Sequence, residues 1–267
     1  MLDAGPQPPI LFLDFDGTIS ERDAIDALLE AFAPPEWLAI EAEWQAGRIG
    51  SRECISAQMA LVRATPAEVN ALLDSIKVDR GFATLLETCA GLRVPVHIVS
   101  DGLDYCIQRI LADAGPHLAR GLDDVRVFAN RLVPAGAGWQ VEFPYLAESC
   151  AHGCATCKPA VMRRLNHAGA FTIFVGDGLS DRYAAECADL VFAKGALTDY
   201  CRTHSISHIT YEDLGKVAAC LEALLCADAC IADEMLVPVE VKRRDSQARN
   251  SGWLLATMRP ARYRRRY

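Results

Sequence analysis

The chain has 267 residues, 51% of them hydrophobic and 23% charged, enough for a core domain plus a smaller insert. Its net charge of −8 is uneven: residues 241–267 carry 9 basic and 1 acidic side chains, against 18 and 34 in residues 1–240. The acidic body disfavours nucleic acid as a main partner. No apolar run reaches the ~20 residues of a bilayer span, and the start, Met1 to Pro6, lacks the basic-then-apolar pattern of an export signal. A cytoplasmic location and no membrane partner are therefore expected; oligomeric state is left open.

Pro8 and Pro9 precede a continuous apolar run, Ile10 to Leu13, as suits a parallel strand covered on both faces. It ends in Asp14 and Asp16, with Gly17 to permit a sharp turn. From Ser20 to about Lys77 the pattern is helical. Ile25, Leu28, Leu29 and Phe32 form one stripe, ended by Pro34 and Pro35, and Trp37, Ile40 and Trp44 form a second. Ser51 opens a third helix running to about Arg63, and Thr65-Pro66-x-Glu68 is an N-terminal signature for a fourth. Such a stretch far exceeds the dozen or more residues of an ordinary crossover, so residues 20–79 are read as an inserted helical cap.

From Gly81 onward helix and strand alternate: helix 82–89, strand 94–99, helix 103–112, strand 125–129, and a hairpin of 132–133 with 140–143. Helix 158–167, strand 171–175, helix 181–187, strand 190–193, and helices 197–204 and 211–225 follow. Repeated strand–helix units predict an α/β fold with a doubly wound parallel sheet, its core formed by residues 1–19 and 80–230.

Three strands end in polar residues: Asp14 and Asp16, then Ser100-Asp101-Gly102, then Gly176-Asp177-Gly178 with Asp181 a turn later. Parallel strands put these ends on one edge of the sheet. A carboxylate can act as nucleophile and a second can carry protons. Asp14 and Asp177 offer hard oxygen ligands of the kind Mg²⁺ takes, while Lys158 supplies positive charge and Ser100 with the amides after it donates to phosphoryl oxygens.

The order Asp14-Phe15-Asp16-Gly17-Thr18, Val99-Ser100-Asp101-Gly102, Lys158, Gly176-Asp177-Gly178-Leu179-Ser180-Asp181 resembles the haloacid dehalogenase (HAD) superfamily of phosphohydrolases, over residues 10–225. The resemblance implies a Rossmann-like core and an Mg²⁺-dependent phosphatase working through an aspartyl-phosphate. In it Asp14 would be nucleophile and metal ligand; Asp16 would be general acid/base, with its carbonyl on the metal. Thr18 would support the first loop, Ser100 and the Asp101 and Gly102 backbone would bind phosphate, and Lys158 would balance charge. Asp177 would ligate the metal, with Asp181 completing or orienting that site. Phe32-Ala33-Pro34-Pro35-Glu36-Trp37 and Cys157-Lys158-Pro159 are similar to the branch (subfamily IB) that contains phosphoserine phosphatase and a methionine-salvage phosphatase. A small phosphorylated metabolite is the implied substrate, possible alternatives being phosphotransfer to an alcohol or a catalytically retired phosphate-binding module.

Asp23 falls where phosphoserine phosphatases place a substrate-reading glutamate, or is a first-turn helix acid. Arg52 could face the substrate or simply be solvated. Asp101 departs from the glycine common in that branch, so its side chain is expected to turn away from phosphate, leaving the backbone amide to face the site. Cys150-x-x-x-Cys154-x-x-Cys157, with His152 between, has enough ligands for a structural Zn²⁺. A single ligand set lacks a distant second pair, however, and a cysteine-rich loop or an oxidising pair are the alternatives. The 11 cysteines are otherwise expected to be free thiols, with Cys89, Cys106, Cys187 and Cys220 acting as small hydrophobes in helical patterns. His97 is read as a satisfied core histidine. Residues 231–267 are expected to form a disordered basic extension.

Overall fold

The computed structural model describes residues 8–225 apart from positions 114, 116, 117, 119, 120, 137 and 149. The extension expected at 231–267 lies outside the described residues. Seven strands form one sheet: β1 (Ile10–Leu13), β2 (Val96–Leu103), β3 (Arg126–Ala135), β4 (Gly138–Glu142), β5 (Thr172–Gly176), β6 (Leu190–Ala193) and β7 (His208–Thr210). Their order is β4-β3-β2-β1-β5-β6-β7, and β3–β4 is the antiparallel pair among otherwise parallel neighbours.

β1 occupies the centre because it is apolar toward both faces. Leu11 and Leu13 enter one core with Ile98, Ile173 and Val175, while Phe12 enters the other with Val99, Phe128 and Phe174. The chain leaves β1 toward β2 on one side and returns to β5 on the other. Asp14 thus sits at the switch point, where open α/β sheets form a crevice.

Of the five helices between β1 and β2, the first four make up the helical region: α1 (Ala24–Phe32), α2 (Trp37–Gln45), α3 (Ser51–Met59) and α4 (Pro66–Leu73). The segments leading in and out run antiparallel, with Glu21 N donating to Lys77 O and Asp79 N to Ile19 O, both at 2.8 Å. Thr65 caps α4 in the expected manner, its hydroxyl accepting from the Glu68 amide while Glu68 accepts from the Thr65 amide. Further helices among the described residues are α5 (Phe82–Leu92), α6 (Asp104–Asp113), α7 (Lys158–Leu165), α8 (Arg182–Cys187), α9 (Gly195–Thr203) and α10 (Leu214–Leu225). Tyr105 and Arg109 of α6 hold α4 by a hydrogen bond to Asn70 (2.6 Å) and a two-pronged ion pair with Asp74 (2.6 and 2.7 Å).

Several elements differ from the sequence expectation. The strand at 125–129 and the first hairpin arm are one strand, β3, because the chain passes from a parallel partner to an antiparallel one without breaking. β2 does not stop before Ser100 but runs on through a bulge, with Val99 opposite Phe128 and Leu103 opposite Asn130. β7 is a three-residue edge strand with too short a pattern to see, entered after Ser205 turns left-handed (φ 56°). α3 ends at Met59 rather than near Arg63, and the last helix starts at Leu214 rather than Tyr211. The Trp37, Ile40, Trp44 stripe is only half-buried, and Cys187 is exposed rather than packed. Among the described residues no helix is long and apolar enough to cross a membrane.

Candidate active site

Asp14 follows β1 and is buried, and its Oδ1 accepts from the Phe15 amide at 2.8 Å. Lys158, at the start of α7, is 1% exposed and reaches Asp14 Oδ1 at 2.9 Å and Asp181 Oδ1 at 2.6 Å. The other Asp181 oxygen accepts from the amides of Asp177 (3.0 Å) and Gly178 (3.1 Å), so a 3-10 turn after β5 fixes that carboxylate. Asp177 accepts from the Thr18 hydroxyl at 2.8 Å, joining the first and last motifs. A side chain at Gly17, whose φ is +71°, would collide with the Asp177 carboxylate, so glycine is required there on two counts.

Asp16 points to the other side of the crevice. Its Oδ1 accepts from the Ala24 amide at 2.8 Å, and its Oδ2 lies so near Gly102 that a Cβ there would strike it. Ser100 is buried, with its Oγ accepting from the Gly102 amide at 2.9 Å and its own proton left to donate. The β2 bulge produces this geometry, because it takes the 100–102 backbone out of the sheet ladder.

Burial raises the Asp16 carboxyl well above its usual range, and the charges of Asp23, Asp14 and Asp177 add to the rise against the Ala24 hydrogen bond. Burial and Asp14 push Asp177 up to about 6, opposed by the Thr18 hydrogen bond and by Lys194 and Lys158. Burial opposes the charge on Lys158, but Asp14, Asp181 and Asp101 outweigh it and hold the ammonium charged. A carboxyl raised by burial therefore faces an ion-paired one across the crevice, an arrangement that can serve acid–base and nucleophilic chemistry.

Asp14, Asp177 and Asp181 each offer a ligand atom, all within 4.8 Å of one another. Three clustered carboxylates beside one lysine carry excess negative charge, which suits a hard divalent cation. Asp181 is already engaged through both oxygens, so Asp14 and Asp177 are the better placed ligands.

Residues 11–186 match the haloacid dehalogenase-like hydrolase family. The chain belongs to this family. A 2-hydroxy-3-keto-5-methylthiopentenyl-1-phosphate phosphatase of Geobacillus thermodenitrificans is 29% identical over 218 residues, covering 80% of this chain and 96% of the relative. Its counterpart in Lysinibacillus sphaericus is 31% identical over 221 residues, covering 78% and 93%. A solved substrate-bound phosphoserine phosphatase has a TM-score of 0.60 at 22% identity, covering 80% of this chain and 98% of that one. A HAD family hydrolase from Salmonella enterica has a TM-score of 0.62 at 20% identity, covering 85% and 74%. The two structures share the fold, and the family together with the phosphatase-named relatives supports phosphatase activity.

In this HAD hydrolase several supporting residues belong to none of the sequence motifs. Asn130, fully buried at the β2 bulge, donates to the Asp101 carbonyl at 2.6 Å and accepts from the Thr156 hydroxyl at 3.3 Å. Its place just past an apolar strand run was the available signal. The Tyr211 hydroxyl approaches Thr18 Oγ1 and the Gly176 carbonyl at 3.4 Å, a contact no local pattern announces. Asp101 turns its carboxylate to the Thr156 amide (2.9 Å) and the Ser51 hydroxyl. Asp23 is the N-cap of α1, accepting from Ile25 (2.7 Å) and Asp26 (3.0 Å), and burial with Asp26 and Asp14 pushes its carboxyl up to about 7. Arg52 is exposed, and it is its backbone amide that meets the core, at Gly153 O.

His97 corrects the expectation of a satisfied ring. It lies between Phe12 and Phe128, and its Nδ1 has no hydrogen-bond partner among the described residues. Burial and Arg126 lower its pKa, which keeps the ring neutral and limits the cost. A polar cleft of ≈ 570 Å³ opens beside Gly17 and Thr18, lined also by Glu21, Arg80, Lys194 and Glu212, and leads from solvent to the first motif.

Proposed function

We propose that this phosphatase is Mg²⁺-dependent, works through an aspartyl-phosphate, and hydrolyses a small phosphorylated metabolite of the methionine-salvage type. The observation that carries the reading is Lys158, buried between Asp14 and Asp181, while burial raises the Asp16 carboxyl beside Ser100 and Gly102. Lys158 and the Phe15 amide both engage Oδ1 of Asp14, which leaves Oδ2 to attack phosphorus. The ester oxygen then departs with the Asp16 proton. Asp16 next takes a proton from water, whose oxygen attacks the phosphoryl group, releasing phosphate and restoring Asp14. Ser100, the Gly102 amide and Lys158 are the donors for phosphoryl oxygens. Asp14, Asp177 and the Asp16 carbonyl would hold Mg²⁺, oriented by Asp181, and the ion would neutralise charge on the transferring group.

Residues 20–79 act in this reading as a cap over a core of 1–19 and 80–230, hinged at the paired Ile19–Glu21 and Lys77–Asp79 segments, and excluding bulk water. Acid follows acid into the helical region, with Asp23 acting on Asp16, Asp26 on Asp23, and Glu41 on Asp26. A relative that covers 80% of this chain is named for a keto-enol phosphate, and that ester is accordingly preferred over phosphoserine. A cytoplasmic location belongs to the same reading.

The test is phosphate release from a panel of phosphate esters with Mg²⁺, including 2-hydroxy-3-keto-5-methylthiopentenyl-1-phosphate and phosphoserine, with and without added alcohols. The keto-enol ester should give the highest kcat/KM. Higher turnover of phosphoserine would reassign the substrate, phosphorylated alcohols would establish transferase chemistry, and no release from any ester would leave a binding module.

A further inference from the structure

The loop from Cys150 to Cys157 touches both the sheet and the helical region. Its Gly153 carbonyl accepts from the Arg52 amide at 3.0 Å, and its Ala155 amide donates to Ser51 Oγ at 3.0 Å, at the start of α3. The backbones of Gly50 and Gly153 pack so closely that a Cβ on Gly50 would collide with the Gly153 carbonyl. On the other side, the Thr156 amide donates to Asp101 at 2.9 Å, and Cys157 is the N-cap residue of the helix that begins with Lys158. The loop is thus a clip between the helical region and the phosphate-side residues.

Within it the Cys150 sulfur lies against the amides of His152 and Cys154 and the thiols of Cys154 and Cys157. Cys150 and Cys154 are half-buried free thiols, whereas Cys157 is buried and its amide is tied to the Tyr145 carbonyl at 3.1 Å. Among the described residues the group of three ligand atoms within 4.8 Å of one another is Asp14, Asp177 and Asp181, not the three cysteines. The sulfurs therefore depart from the compact set that a tetrahedral zinc site gathers.

We propose that Cys150 and Cys154 form a peroxide-responsive disulfide that loosens this clip and lowers turnover. Burial raises the Cys150 thiol, but the neighbouring amides and thiols outweigh it and favour the thiolate, the reactive form. The thiolate attacks one peroxide oxygen, the O–O bond breaks, and a sulfenic acid and hydroxide form. Cys154 sulfur then attacks the sulfenyl sulfur, giving up its proton and expelling hydroxide as water. Two thiols lose two electrons and two protons, and one peroxide becomes two waters. Drawing Cys154 toward Cys150 shifts Gly153 and Ala155, on which Ser51 and Arg52 rest.

The inference rests on the phosphatase reading only for its activity readout. The full chain, reduced and then exposed to hydrogen peroxide, should yield a Cys150–Cys154 cross-linked peptide, faster amide exchange across residues 51–59, and roughly tenfold or greater loss of kcat/KM. A dithiol reductant should restore all three. C150S and C154S should resist the treatment, while C157S should still respond. The proposal is overturned if no such cross-link forms, if it forms without loss of activity, if C150S is inactivated as fast as the parent chain, or if the protein holds zinc that shields the thiols. Failure of the phosphatase reading would look different: the reduced protein would be inactive while the cross-link and exchange changes persisted.

Discussion

β1 and β5 bury eight of their nine residues, whereas α2 buries none of its nine. Close packing at the sheet leaves Asp14, Lys158 and Asp181 no freedom, because each is held by buried partners on a different element. In the helical region α1, α3 and α4 bury apolar faces in the same core as Leu11 and Leu13, and it is α2 that relies on half-covered residues and an exposed ion pair between Arg48 and Glu43. The helical region's polar contacts with the rest of the chain include those of Ala24, Ser51, Arg52, Ala64, Asn70, Asp74 and Asp79. The sheet edge holds Asp14, Lys158 and Asp181 still, whereas the exposed ion pair on α2 contributes little to its stability.

The sharpest way to break this contrast is Asp14→Asn. Turnover with Mg²⁺, followed as phosphate release, should fall by about 10⁴-fold or more, and retention of most activity would sink the aspartyl-phosphate reading. Lys158→Met should follow, since it leaves Asp14 and Asp181 buried without their cation. Denaturant unfolding should show a loss of ~3–5 kcal/mol, together with loss of activity. Asn130→Ala removes the donor that ties the β2 bulge to β3, so a loss of ~1–3 kcal/mol is expected by the same unfolding measurement.

Asp23→Asn is a smaller and pH-dependent change. With its folded pKa raised from 3.8 to about 7, Asp23 contributes stability at pH below its unfolded value. That contribution is lost as pH rises through about 7, where the buried carboxylate must ionise. Asparagine keeps the capping oxygen, so thermal melts of the metal-free protein should show the variant more stable at pH 8 and no better near pH 4. Leu38→Ala should do least. The side chain is 54% exposed on α2, and the unfolding free energy should move by no more than ~0.5 kcal/mol. A core-sized loss there would mean that the helical region is covered by something else, and the contrast with the sheet would fail.

Local chemistry was legible wherever a residue's neighbours in sequence decide its conformation. Four apolar residues running into two acids can hardly be anything but a central strand end, and the Thr65–Glu68 box announces its own helix. The alternation of elements likewise gave the doubly wound sheet without coordinates. Less readable were features that depend on register or on distant partners. The bulge at Ser100 exists only because Leu103 pairs with Asn130, and Asn130 matters only because that pairing brings it under the 101–102 carbonyls. Ser51 and Ala155 meet across 104 positions, and Tyr211 and Thr18 across 193. The Trp37 stripe has helical spacing, but spacing cannot say how much of a face the rest of the chain covers. By itself, then, the sequence determined the strands, the ionisable groups at their ends and hence the class of chemistry. Only the tertiary structure decided how two acids two positions apart come to differ, because folding pairs Asp14 with Lys158 and buries Asp16 among other acids, which raises its carboxyl.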